Sequence, residues 1–301
     1  MGLDINGVRF LLFAKAQGAD FSRTAMIGRQ ELHLTVADLK SSLVNFEHPF
    51  DEEAIDSIFG ENRYAEEFLK LLGAGEIHSF DHSNYEGATY LHDMNQEIPS
   101  IYRKRYSVVR DGGSLEHVFN FPQSVKNCME MVEVGGHYLG ISPANNFFGH
   151  GFYQFSPELF FAIFRETNGF ELVHLIAFEI NGRDTTWFSV QNPDLVKGRV
   201  TLRNSAPVYL LIVAKKNKVT TIFETTPQQS DYISTWTKPD SLRASGPSTA
   251  RKSHAFARTV ARAIPNRVRR ALKELFGANI EFNPQFFRPI DPVRMSKASR
   301  H

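Results

Sequence analysis

The chain has 301 residues, 42% of them hydrophobic and 22% charged, with a formal net charge of +1. That length fits one large domain or one domain plus an appendage, and the apolar content excludes wholesale disorder, which requires few apolar residues and a large net charge. A single cysteine, Cys128, excludes an intrachain disulfide and any multi-cysteine zinc site.

No run approaches the roughly 18 consecutive apolar residues of a membrane span. The short apolar stretch Phe10–Ala14 is bracketed by Arg9 and Lys15, unlike a secretory signal. A reduced, cytoplasmic protein is therefore expected. Charge is uneven: residues 251–301 carry a balance of +9 and the rest of the chain −8, an acidic body with a basic tail.

After an N-terminal helix-like segment, Thr24–Ile27 reads as a short buried strand stopped by Gly28. Residues 51–72 follow a helical pattern, with Gly73 as C-cap. Strands are expected at Glu76–Phe80 before Asp81, at Ala88–His92 before Asp93, and at Tyr106–Val109 running into Asp111. Gln123–Val132 reads as a helix with Pro122 in its first turn. Gly135-Gly136 reads as a turn before a fifth strand, His137–Ser142. Ser156 caps a helix through Phe164, and Glu171–Ile180 and Val208–Ala214 complete seven strands. Residues 217–250 look like a linker, 251–276 like a basic helix interrupted by Pro265, and 277–301 lack periodicity.

Strands alternating with helices imply an α/β fold, a doubly wound, mostly parallel seven-stranded sheet spanning 1–216, followed by the linker and a basic helical C-terminal extension over 251–301. Ligands in such sheets lie at the carboxyl ends of the strands. Gly28, Asp81, Asp93 and Asp111 all fall there, although Asp and Gly are also ordinary strand terminators.

Five short words occur in order: Ser79-Phe-Asp-His82, Leu91-His-Asp-Met-Asn95, Asp111-Gly-Gly-Ser-Leu-Glu-His-Val118, Val134-Gly-Gly-His137 and Asn168-Gly-Phe170. Together they resemble the class I S-adenosylmethionine-dependent methyltransferases, including methyltransferase-like proteins of polysaccharide pathways, over about residues 20–215. The resemblance implies a Rossmann-like fold with S-adenosylmethionine as cofactor. It places Asp81 on the ribose hydroxyls, where an acceptor-only carboxylate suits two donors. It places Asp93 on the adenine amino group with Met94 or Leu91 against the ring, and Asp111 with Gly112 beside the sulfonium. Gly28, Arg29 and His82 would border the same cofactor. One departure stands out. The family has two or three spaced glycines after its first strand, whereas this chain has Gly28-Arg29-Gln30, and Asp81 follows Gly28 by 53 residues. Arg29 either binds the cofactor's methionine carboxylate or fills its place, and 31–60 holds an insertion or altered helix.

The run Asn145–Pro157 follows the fifth strand, on the rim where acceptors bind in this fold. His150, between Gly149 and Gly151, is the first candidate for a base that removes a hydroxyl proton, and His117 the second. Asn146, Tyr153 and Gln154 are candidate acceptor-binding residues. The bland alternative is a Phe-rich loop packed on the core with a structural histidine. Asp81-His82 and His92-Asp93 invite a metal reading, but adjacent strand residues point to opposite faces, so no metal is expected. Gly-x-Ser-x-Gly and phosphate-loop motifs are missing from the sequence.

The expected activity is O-methylation, with a sugar or glycan as acceptor. A non-catalytic binding or assembly protein of the same fold is the alternative, and a nucleic-acid methyltransferase a lesser one. The basic tail suits packing on the body or a second copy, or contact with an anionic membrane surface; nucleic acid is the weakest partner.

Overall fold

The structure is a computed structural model that describes residues 2–60, 63–180, 185–230, 232 and 282–299. The basic helix expected at 251–276 and most of the linker lie outside the described residues.

A short strand β1 (Gly2–Leu3) leads into helix α1 (Ile5–Ala16), whose N-cap Asp4 accepts a hydrogen bond from the Gly7 N–H. Val8, Phe10, Leu11 and Phe13 are all fully buried. Such a helix, apolar on every side, belongs inside a layer rather than on a surface. Strand β2 (Arg23–Ile27) follows, then β3 (Glu31–Leu32), which pairs in parallel with β1. Helix α2 (Val36–Asn45) starts at a capping box in which Thr35 and Asp38 satisfy each other's backbone amides.

The helix expected over 51–72 is two helices, α3 (Glu52–Ile58) and α4 (Glu66–Leu71). Between them the chain is drawn against β3: Leu32 N–H donates to the Arg63 carbonyl at 2.7 Å, and Tyr64 bridges Glu31. The altered segment between the first two sheet strands is therefore a set of three short helices.

Strands β4 (Glu76–Asp81), β5 (Tyr90–Leu91) and β6 (Tyr106–Asp111) come next, followed by α5 (Phe121–Met131) and the long β7 (Val132–Pro143). All six residues of β6 are buried, as expected for a central strand covered on both faces. Gly135-Gly136 is not a turn. It lies within β7, where the register against β6 shifts between Tyr106 and Val108, so the glycine pair forms a bulge. Ser156 caps α6 (Pro157–Ile163), and β8 (Phe170–Glu179), β9 (Trp187–Val190), the short α7 (Pro193–Val196) and β10 (Val208–Lys216) follow. Beyond them β11 (Phe287–Ile290) and α8 (Pro292–Ala298) correct the expectation that 277–301 has no regular structure. Helix α8 packs on α1.

Among the described residues the main sheet has nine strands, in the order β11-β9-β8-β10-β7-β6-β2-β4-β5. All seven expected strands are present, but the sheet is mixed. The pairs from β5 to β7 are parallel, and those from β7 to β11 are antiparallel. The two unexpected strands form the far edge. β11 contains Pro289, which only an edge strand tolerates, and Phe282 stacks on Phe188 with ring centroids 3.9 Å apart. Residues just past β10 stay on the body, with Ile222 buried against the second of two cores.

The strand order reverses at β2. Its neighbours β4 and β6 leave in opposite directions along the sheet, which opens a crevice at their carboxyl ends.

His137, just past the bulge, is buried between β6 and β10, and burial lowers its pKa to about 4, helped by the charge of Lys215. A histidine held neutral in the folded state contributes stability that is complete above about pH 6.5 and is lost as pH falls towards 4. Thermal melts from pH 7 to pH 4 should show this loss, on the order of 2 kcal/mol. The loss should shrink in His137→Gln; an identical pH slope in the variant contradicts the assignment.

Candidate functional site

A cavity of about 500 Å³ occupies the crevice at the reversal point. That is within the usual range for small-molecule sites, about 300–1,000 Å³. Its floor is apolar: Ile27 ends β2, Phe80 comes from β4, and Met94 follows β5. Polar groups stand around this floor. Asp81 ends β4; its Oδ1 accepts from the Ser83 N–H at 3.1 Å. Asp93 and His82, which both line the cavity, lie 3.9 Å apart. Two hydrogen bonds from Asn95, through its backbone and side-chain N–H groups, lower the Asp93 pKa below the usual carboxylate value.

Gly28 and Arg29 form the wall above β2. Gly28 has φ +73°, and a Cβ there would lie 2.8 Å from the Ser114 hydroxyl. That hydroxyl donates to the Ile27 carbonyl at 2.8 Å and so ties the end of β2 to the loop after β6. Arg29 is held on three sides. Its Nε bonds Glu66 at 2.7 Å, its Nη1 donates to the Glu86 carbonyl at 2.9 Å, and its guanidinium stacks 3.8 Å over the Tyr64 ring. This cation thus braces α4 against the loop after β4.

Asp111 and Gly112 do not border the cavity. Asp111 is fully buried, with Oδ1 accepting from the backbone N–H groups of Gly113, Ser114 and Leu115 and Oδ2 lying 3.4 Å from the Tyr138 hydroxyl. A carboxylate committed to its own turn is a scaffold, not a cofactor contact. Burial raises its pKa, to about 6, against the pull of those amides and of Arg110. The side chain of the buried Gln30 packs directly on Gly112, leaving no room for a Cβ.

The turn that Asp111 fixes continues into Glu116 and His117. His117 lines the cavity, and its ring lies 5.0 Å from that of His150, which arrives on the loop after β7. Partial desolvation first, then the neighbouring His150, lowers the His117 pKa below the usual histidine value. Glu116 is completely buried, and burial first and the charge of Asp111 second raise its pKa to about 8. In the sequence, the one signal for Glu116 is its place beside the candidate His117.

The other rim residues are engaged within the loop. The Tyr153 hydroxyl donates to the Phe119 carbonyl at 2.6 Å, the Gln154 side-chain oxygen accepts from the Phe147 N–H at 2.8 Å, and the Asn146 amide donates to Asn204 and Ala206. None of the three, nor His150, lines the cavity.

No protein-family model matches the chain, and no curated protein matches it. Several solved structures are similar. A protein of Bacillus halodurans provisionally assigned as a methyltransferase is 13% identical, over 69% of this chain and 98% of that one, at a TM-score of 0.38. An S-adenosylmethionine-dependent methyltransferase of Thermotoga maritima is 10% identical over 68% and 91%, at 0.35. The YcgJ protein of Bacillus subtilis is 9% identical over 71% and 100%, at 0.37. The sheet order and the cavity, rather than these distant likenesses, carry the functional reading below.

Replacing Gly28 with Ala forces a left-handed backbone on a residue with a Cβ and crowds Ser114. Urea denaturation should show Gly28→Ala less stable by about 1–2 kcal/mol. Unchanged stability would show that the loop relaxes freely and that the tie to Ser114 is unimportant.

Proposed function

We propose that the chain is an S-adenosylmethionine-dependent methyltransferase acting on a hydroxyl group, with a sugar or glycan as acceptor. The observation that carries this reading is the cavity at the reversal of strand order, with Asp81 and Asp93 at the ends of adjacent strands β4 and β5. Those are the positions that the sequence resemblance assigns to ribose and adenine recognition.

The residues present fit the cofactor. Among the described residues Asp81 Oδ2 accepts no hydrogen bond, so it is open to a ribose hydroxyl, and Asp93 stands one strand away for an amino group. Met94, Phe80 and Ile27 offer the apolar surface that a base requires. Gly28 has no side chain, so only its backbone borders the cavity, and a Cβ there would point at the Ser114 hydroxyl. Arg29 is spent on Glu66, the Glu86 carbonyl and Tyr64, which limits its role to shaping the wall. When bound, S-adenosylmethionine supplies a methyl group on an electrophilic sulfur.

What the protein itself contributes is placement and a route for one proton. The cavity fixes one partner and the rim loop after β7 borders the other, so that the reacting atoms meet in line. The acceptor's hydroxyl proton passes to the imidazole pair: His117 faces the cavity and His150 stands behind it. The sugar or glycan preference rests on the aromatic rim, where Phe119, Phe148 and Phe152 are exposed and can stack on a ring face.

One observation favours the non-catalytic alternative: the single glycine and the braced arginine where the resemblance leads one to expect a glycine-rich loop. Calorimetric titration of the full chain with S-adenosylmethionine and with its demethylated product separates the two readings. Micromolar binding, weakened at least tenfold by Asp81→Ala without a change in melting temperature, supports the enzyme. No binding by folded protein at millimolar ligand overturns it in favour of a binding module. With acceptor found, His150→Ala should leave cofactor affinity intact and lower turnover; equal turnover removes His150 from the proton route.

A further inference from the structure

Three donor side chains converge behind the rim. Glu116, His117 and His150 each offer one ligand atom, and these atoms all lie within 4.8 Å of one another. Glu116 and His117 are adjacent in the turn after β6, whereas His150 comes from the loop after β7, so the cluster exists only through the fold. That loop is seated on Glu116. Phe152 N–H donates to the Glu116 carbonyl at 2.8 Å, and a Cβ at Gly151, which has φ +68°, would lie 2.8 Å from the same oxygen.

The cluster leaves a deficit in hydrogen bonding. Glu116 is 0% exposed, yet neither of its carboxylate oxygens meets a hydrogen-bond partner among the described residues. Nε2 of His150 is buried and unpartnered too, 3.5 Å from Glu116 Oε1 and outside hydrogen-bond geometry. Buried polar atoms in native proteins are paired, and each exception calls for a partner such as an ion. A carboxylate wholly out of water is costly unless a cation meets it.

We propose that Glu116, His117 and His150 bind a divalent transition-metal ion of the zinc type. The donor set, two imidazoles and one carboxylate, is one that zinc uses with a fourth position left for water or substrate. Imidazole nitrogen disfavours magnesium and calcium, which take oxygen ligands. At metal–ligand distances of about 2.0–2.2 Å, tetrahedral donors stand about 3.3–3.6 Å apart, so a spread of 4.8 Å closes with small side-chain rotations. Glu116 is the buried anchor. His150 is 35% exposed on its side chain and His117 is exposed, so the open coordination position faces the rim, next to the cavity that His117 lines. There the ion would bind an oxygen of a ligand entering over the aromatic rim. The site would stand if no adenosyl ligand bound, but it is exclusive of the imidazole proton route: an ion there occupies the lone pairs of His117 and His150, which then serve as ligands and not as bases.

The test uses the full chain, stripped with a chelator and titrated calorimetrically with Zn²⁺ in an excess of Mg²⁺. The expected result is one ion per chain, with affinity at least tenfold weaker in Glu116→Gln and in His150→Ala. Co²⁺ in place of Zn²⁺ should give the visible absorption bands of a four-coordinate centre, lost in His150→Ala. That variant sits on a partly exposed loop, and its melting curve without metal checks its fold independently of Glu116→Gln. No saturable uptake by the folded wild-type chain overturns the proposal. So does uptake equal in wild type and in His150→Ala, which would assign Glu116 and His150 a plain ion pair and the ion to another place.

Discussion

The buried carboxylate of Asp111 is the constraint on which the functional end of the molecule depends. It closes the β6 strand by accepting three successive backbone amides, from Gly113, Ser114 and Leu115. Without those bonds the amides would be buried and unpaired, a cost of about 1–3 kcal/mol each. The turn so fixed does two things at once. It aims the Ser114 hydroxyl at the last carbonyl of β2, and it delivers Glu116 and His117 between the cavity and the rim loop. Ligand cavity, candidate bases and candidate metal site therefore share one support.

The sheet supplies the other half of the arrangement. Because the strand order reverses at β2, the loops after β2, β4 and β6 diverge and leave a crevice that no side chain has to be removed to create. Arg29 limits that crevice at the wall. Its ion pair with Glu66 and its stacking on Tyr64 hold α4 in place, so a residue that seemed from sequence to belong to the ligand belongs first to the scaffold. Of the acidic residues lining the cavity, Asp81, Glu86 and Asp93, the two aspartates follow the ends of β4 and β5.

Much of this was legible in the sequence. The first five expected strands, from Thr24–Ile27 to His137–Ser142, are short runs closed by Gly, Asp or Pro, and that punctuation marks strands regardless of their neighbours. Asp81 and Asp93 fell at strand ends for the same local reason. What remained hidden depends on contacts distant in sequence. The break between α3 and α4 arises because Arg63 and Tyr64 bond to β3, a pairing with no local signature. β9 and β11 are four residues each, and β11 carries a proline, so neither shows a clear alternation. Asp111 reads as a ligand from its position, and only the fold reveals that its oxygens are turned inward. Tyr153, Gln154 and Asn146 likewise look available in the sequence and are bonded within their loop in the structure. Glu116 became important only once His150, from a different loop, was seen to face it.

The proposed methyltransferase requires that the crevice at the reversal point hold a nucleoside through Asp81 and Asp93. The most direct measurement is a crystal structure of the full chain grown with the demethylated cofactor, S-adenosylhomocysteine. The account predicts ribose hydroxyls on the Asp81 carboxylate, and the adenine over Met94 with its amino group towards Asp93. Density for the ligand anywhere else, or a crevice that a side chain fills at saturating ligand, would contradict it.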